Sequence, residues 1–368
     1  MLEVFFSIII FLIGFMIIEV VRIKLKIKFL ISFFLYLWHT LFCIIYSIYV
    51  LTYSGDALSY YKYAYEEEIV FGIGTSFVNF LTSILFLLYN LSFFEMALIF
   101  NIFGSIGLIL FYASLNSIKQ NNFSIIFITF LPSISFWSSG IGKDSIAFLS
   151  VSLLLWSIIN IKGRIFLFFI AILVMFLVRP HISLVMLISY IFSYFIYTRT
   201  NLFKVIYLIS IIICMVFLFD NVLDYIAIES IFEIINFIKD RQVQNLDGGS
   251  SINIMELNFI EKIFTFLFRP FIFEISYSIT FFAVAFDNFI LLILFISFMF
   301  KYIINKFKIK MNFKFAYLYT YSILVTVILS LTISNLGISV RQKWIVLPVL
   351  IYIWFYYIYG VKNEKEIN

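Results

Sequence analysis

Charge is scarce in this sequence. Of its 368 residues only 12% are Asp, Glu, Lys or Arg, against about a quarter in ordinary globular chains. Hydrophobic residues make up 64% and aromatics 21%, with 50 Phe. A water-soluble fold of this length has nowhere to bury that much apolar surface, so a soluble enzyme is excluded. Cysteine is nearly absent. Cys43 and Cys214 both lie in apolar runs, which gives neither a disulfide framework nor metal-ligand spacing. The sequence lacks a Gly-rich phosphate loop, a paired-aspartate motif and a His/Asp cluster, so neither a metal nor another cofactor is expected. It also lacks internal repeats, a low-complexity tail and the ~10-residue alternation of a transmembrane barrel. The net charge of +5 does not indicate nucleic acid, because the basic residues fall where membrane topology needs them.

What is present is a series of near-continuous apolar runs of about twenty residues, each long enough to cross a bilayer. In lipid the backbone must satisfy its own hydrogen bonds, so such runs predict helices. The expectation is an all-α polytopic membrane protein, one integral membrane domain over 1–368. Leu2–Val21 has neither a basic n-region nor a small-residue cleavage site, so it is expected to be a retained helix. Arg22, Lys24, Lys26 and Lys28 follow at once, which puts the N-terminus outside and this cluster inside. Phe29–Tyr53 returns outward to a first outer loop, 54–92, with its tyrosine-rich stretch Ser54–Glu68.

Two apolar runs follow, and if both spanned, every later basic cluster would face outward. Gly72–Asn90 is therefore expected to lie in the outer interface, which suits Gly72, Gly74, Thr75, Ser76, Asn79, Thr82 and Ser83. Further spans are expected at 94–115, 123–138, 144–160, 164–178, 182–198, 203–220, 276–300, 313–334 and 344–361. That makes about eleven in all, with the C-terminus inside. Most of the 25 basic residues then face the cytoplasm. A large outer loop, 221–270, contains an amphipathic stretch at Ile228–Ile238 and the turn Asp247-Gly248-Gly249-Ser250-Ser251. Loops of this size more often cover or bind something than merely connect.

The basic residues left outside need a second explanation. Lys143, Arg179, Arg269, Arg341 and Lys343 sit at outer helix ends or loops, against Asp56 and Asp144. Charged groups near membrane depth are costly, and several on one side suggest a site. Arginine forks match phosphate oxygens and lysines add point charge, so a diphosphate or other polyanion suits them. The plainer reading of any one of them is an anchor snorkelling to headgroups. Asp144 suits a helix N-terminus, where Ser145 would help to cap and Lys143 would pair locally. His181 can accept a proton from a sugar hydroxyl, or serve as a hydrogen-bonded structural residue. Asp56, after a Ser-Gly turn, can bind a hydroxyl or act as base. His39, midway along the second span, is expected to bridge helices. Trp137 and the tyrosines can stack on sugar rings, although an interfacial aromatic belt accounts for them more simply.

Taken in order, these pieces resemble the Wzy class of O-antigen and capsular repeat-unit polymerases, including EpsG-like members. The matching elements are Gly55-Asp56 with spaced tyrosines, Pro132 followed by Phe136-Trp137-Ser138-Ser139-Gly140-Ile141-Gly142-Lys143-Asp144, Arg179-Pro180-His181, Phe268-Arg269-Pro270-Phe271, and Asn335, Gly337, Arg341-Gln342-Lys343 and Pro348. They cover roughly residues 50–350. The resemblance implies a metal-independent, GT-C-like glycosyltransferase in the bacterial inner membrane with its site facing the periplasm. Donor and acceptor would both be undecaprenyl-diphosphate-linked oligosaccharides. The resemblance leaves room for a chain-length regulator as protein partner. Lys143, Arg179, Arg269, Arg341 and Lys343 would bind diphosphate, with Asp56 or His181 as base and Asp144, Trp137 and Asn335 in support. An O-antigen ligase or a polyprenyl-phosphate-sugar glycosyltransferase is the enzymatic alternative, and a lipid-linked oligosaccharide flippase the transporter alternative. A flippase should carry charge through both leaflets and often an inverted repeat. The one-sided charges here favour an enzyme.

Overall fold

A computed structural model describes residues 2–66, 69–197, 205, 209, 211–213, 216, 219, 223, 233–244, 250–274, 279–304 and 311–360. The chain divides into two compact units, Met1–Arg179 and Pro180–Asn368. Both are helical, and the described residues include no β-strand beyond one isolated bridge. Among the described residues seven helices are long and apolar enough to cross a membrane, or up to eight if one bent pair counts as a single span. The chain is thus an all-α, multi-pass membrane protein by length and composition of its helices.

The first unit contains α1 (Leu2–Leu25), α2 (Phe29–Tyr53), α3 (Asp56–Glu66), α4 (Thr75–Tyr89), α5 (Phe93–Asn116), α6 (Phe123–Thr129), α7 (Pro132–Ser138), α8 (Lys143–Ile159) and α9 (Ile161–Val178). Helix α5 is its centre, packed by α1, α2 and α8, while α9 lies along α8. Its start is fixed by a capping box in which Ser92 and Glu95 bond reciprocally. The expected span 123–138 is broken into α6 and α7 instead. Pro132 disfavours helical geometry at the preceding residue, and Leu131 is extended there at φ −58°, ψ 128°. The expected span 144–160 is a 17-residue helix, mostly buried within the protein and outside the seven. Helix α4 has only 15 residues, roughly 22 Å of rise, short of a ~30 Å hydrocarbon core. The tyrosine-rich stretch after Gly55 is helical rather than loop, with Tyr60 buried and Tyr61 against Phe93.

A polar seam runs through this apolar core. His39 Nδ1 meets Asn101 Oδ1 at 2.6 Å, and its Nε2 meets Ser138 Oγ at 2.9 Å. Asn101 Nδ2 in turn donates to Thr40 Oγ1 at 3.0 Å. His39 therefore joins α2, α5 and α7 as an interhelical bridge. Gly104 makes the close approach possible, since a Cβ there would stand 2.0 Å from the Ser138 carbonyl oxygen and 2.6 Å from His39 Cε1. Small residues serve this purpose where helices pack in lipid. Gly104→Ala is expected to destabilise the fold by about 1–3 kcal/mol through overpacking, read as a lowered unfolding midpoint in detergent.

The second unit contains α10 (Pro180–Tyr197), α11 (Ile234–Gln244), α12 (Phe259–Phe268), α13 (Ile279–Ile304), α14 (Phe313–Thr332), α15 (Leu336–Gln342) and α16 (Leu347–Phe355). Helix α14 packs on α10, α11, α12 and α16. The expected span 344–361 belongs to a pair, Leu336–Ile345 and Leu347–Tyr359, bent by 61° just before Pro348. The span 203–220 falls largely outside the described residues, as do Cys214, Asp247, Gly248 and Gly249. Of the stretch Ile228–Ile238, the part from 233 onward is described. Its helix runs on from Ile234 to Gln244. The loop is anchored: Gln242 Nε2 donates to Leu331 O at 2.6 Å, Ile252 N to Ser334 O at 2.8 Å, and Ser339 Oγ to Phe266 O at 2.9 Å.

Candidate functional site

At one end of the first unit, three segments distant in sequence come together. Gly74 N donates to Leu177 O at 2.7 Å, which fixes the start of α4 against the end of α9. Helix α8 opens after Gly142, whose φ of +152° suits glycine alone and whose missing side chain leaves Tyr60 Cε2 close by. That turn aims Lys143 at α4, where its Nζ donates to Thr75 Oγ1 at 3.0 Å. Asp144 Oδ1 accepts from Arg179 Nη2 at 2.7 Å, across 35 residues.

Arg179 is the best-defined cation of the set. It is 7% exposed, and among the described residues its Nε has no hydrogen-bond acceptor. Buried donors almost always find a partner, so this N–H is aimed where an oxygen is wanted. Asp56 begins α3, one turn before Tyr60, and is exposed. Trp137 is half-buried, its ring edge-on to Phe136 at 4.9 Å and near Tyr46 at 6.3 Å, so it packs into the protein's own aromatic cluster. Lys143, Asp144 and Arg179 are thus brought together.

In the second unit, Arg341 and Lys343 share the short segment that Asn335 begins. Asn335 caps α15, its Oδ1 accepting from Gly337 N at 2.9 Å, Ile338 N at 3.3 Å and Ser250 Oγ at 2.9 Å. The spacing of Asn335 and Gly337 is therefore a helix start, and it ties the end of the large loop to α15. Arg341 is half-buried on α15. Lys343, expected on the diphosphate, lies inside the protein with no exposed surface and donates to Asn288 Oδ1. Arg269 ends α12 and pairs with Glu274, Nη2 to Oε1 at 2.6 Å. His181, the second residue of α10, is half-buried.

Asp287 and Asn288 lie outside the sequence expectations above, although an Asp-Asn pair inside a long apolar helix is itself a signal. Both are fully buried, and Asp287 lies within electrostatic reach of Lys343. Asn288 Nδ2 also donates to Pro270 O at 3.0 Å. One amide therefore holds the turn after Arg269 with one end and the segment after Arg341 with the other. Among the described residues no three His, Cys, Asp or Glu side chains group as a metal site. Protein-family models, curated proteins and solved structures all yield no match to this chain. Its function must be read from these side chains.

Proposed function

We propose that the protein polymerises lipid-linked glycan repeat units on the periplasmic side of the bacterial cytoplasmic membrane. The growing glycan leaves undecaprenyl diphosphate and joins a sugar of a new undecaprenyl-diphosphate-linked unit. The bond between the anomeric carbon and the diphosphate oxygen breaks, and the acceptor hydroxyl oxygen takes its place. The diphosphate departs with the bonding pair, and the hydroxyl proton goes to a base, Asp56 or His181.

The observation that carries this reading is Arg179, a buried guanidinium paired with Asp144 whose Nε–H lacks an acceptor among the described residues. Such preorganised donors stabilise charge growing on a leaving group. Arg269 and Arg341 are assigned to phosphate oxygens on the same chemical grounds. Lys343, enclosed with Asn288, supports the segment that carries Arg341 rather than touching the anion.

The test is polymerisation by the purified full chain in lipid, supplied with a defined lipid-linked repeat. A ladder of products is expected. Arg179→Ala, Arg269→Ala and Arg341→Ala should each lower turnover by about 10²–10³-fold, the usual effect of losing one such donor. Undiminished activity in all three would remove the diphosphate site. In a deletion strain, lipopolysaccharide capped by single repeat units supports a polymerase, and loss of all attached repeats supports a ligase. Unchanged surface glycans overturn both.

A further inference from the structure

The sequence places residues up to 270 in a loop on the aqueous side, yet its last part is fastened to a spanning helix. Pro270 O is held by Asn288, and the Phe268 ring meets Phe295 at 5.4 Å. Both Asn288 and Phe295 lie within the apolar span Phe282–Ile304. The end of α12 and the turn after it therefore sit at the level of that span.

The outward side of this segment is strongly apolar. Ile260 is 77% exposed and Phe273 84%, and Phe259, Phe264 and Ile272 are exposed as well. The rings form a continuous string, from Phe268 to Phe264 at 5.3 Å, Phe264 to Phe271 at 6.0 Å and Phe271 to Phe273 at 5.3 Å. The string lines an open groove of about 470 Å³, together with Leu257, Ile260 and the Arg269–Glu274 pair. Polar residues gather at the start of α12, where Asn258 and Glu261 form a capping box. Apolar rings on one side with charge beside them is the pattern of a helix lying in a membrane interface.

We infer that residues 257–274 form a half-embedded interfacial segment whose exposed rings contact bilayer phospholipid, with the Arg269–Glu274 pair at headgroup level. Its fastening to α13 selects lipid as the occupant, because a surface at the depth of an apolar span meets acyl chains and not water. The inference shares Arg269 with the proposed activity but does not rest on it.

The experiment uses full-length protein reconstituted in phosphatidylethanolamine–phosphatidylglycerol vesicles, with Cys43→Ala and Cys214→Ser as background. Nitroxide labels are placed through Phe273→Cys, Ile260→Cys and, as an aqueous reference, Lys239→Cys on exposed α11. Both test positions are largely exposed, so the fold tolerates the change. At 273 and 260, collisions with lipid-soluble oxygen should exceed those with a water-soluble nickel chelate several-fold, and at 239 the order should reverse. Chelate-accessible labels at 273 and 260 overturn the inference. So do immobilised labels shielded from both quenchers, which would mean that a second copy or another protein covers the surface.

Discussion

Lys343→Met is expected to lower the thermal unfolding midpoint of the detergent-solubilised protein by about 10 °C. The ammonium is enclosed at a bend between two helices, on Asn288 and within reach of the buried Asp287. Methionine keeps the bulk but leaves the carboxylate in low dielectric without that cation. Losing a hydrogen bond to a charged group costs about 1.5–3 kcal/mol, leaving the buried Asn288 oxygen unsatisfied adds about 1–3, and each 1 kcal/mol moves the midpoint by roughly 2–4 °C in a unit of this size. Asp287→Asn combined with Lys343→Met removes both charges and is expected to recover most of the loss. A Lys343→Met protein that melts like wild type, or a double variant no better than the single one, would show that the two charges are not coupled. The same node reaches further. Asn288 holds both Pro270 and Lys343, so its loss should loosen the turns that carry Arg269 and Arg341 together.

Asp144→Ala is expected to destabilise the first unit by a comparable amount, about 3–5 kcal/mol, because it leaves the Arg179 guanidinium buried without its counter-charge. The two side chains are 12% and 8% exposed and join at 2.7 Å. The expectation differs from that for a surface ion pair, which is worth about 0–1 kcal/mol. Arg179→Met with Asp144→Leu should be less destabilised than the sum of the single variants, the mark of direct coupling. Activity provides the contrast. If Arg179 holds the diphosphate, the double variant regains stability but stays inactive, which separates the structural role of the pair from its chemical one. Equal stability of Asp144→Ala and wild type would show that the pair is not energetically coupled.

The membrane class was legible in the sequence, because hydrophobicity sustained over about twenty residues is a property of the chain alone. Individual spans were less so. Hydropathy sees 123–138 as one run, but Pro132 breaks it in two, and 144–160 is a 17-residue helix packed mostly against other helices of its unit. A hydropathy window cannot tell burial against protein from burial in lipid. The outer cations were picked out by their cost at the membrane edge, but their partners were not. Asp144 reads locally as a helix cap beside Lys143, and only the α8–α9 packing shows that Arg179 also reaches it. Lys343 was placed on a ligand, whereas the bend after α15 turns it inward. Asp287 and Asn288 were missed because the helix around them reads as uniform.

The sequence alone determined that this chain is helical, crosses a membrane repeatedly and gathers cations near certain helix ends, since composition and run length settle those questions locally. Only the tertiary structure decided which charge answers which: Asp144 with Arg179, Lys343 with Asn288, Asn335 with the start of its own helix. Such pairings depend on which helices lie side by side. That is set by packing summed over many residues, and no short stretch of sequence contains it.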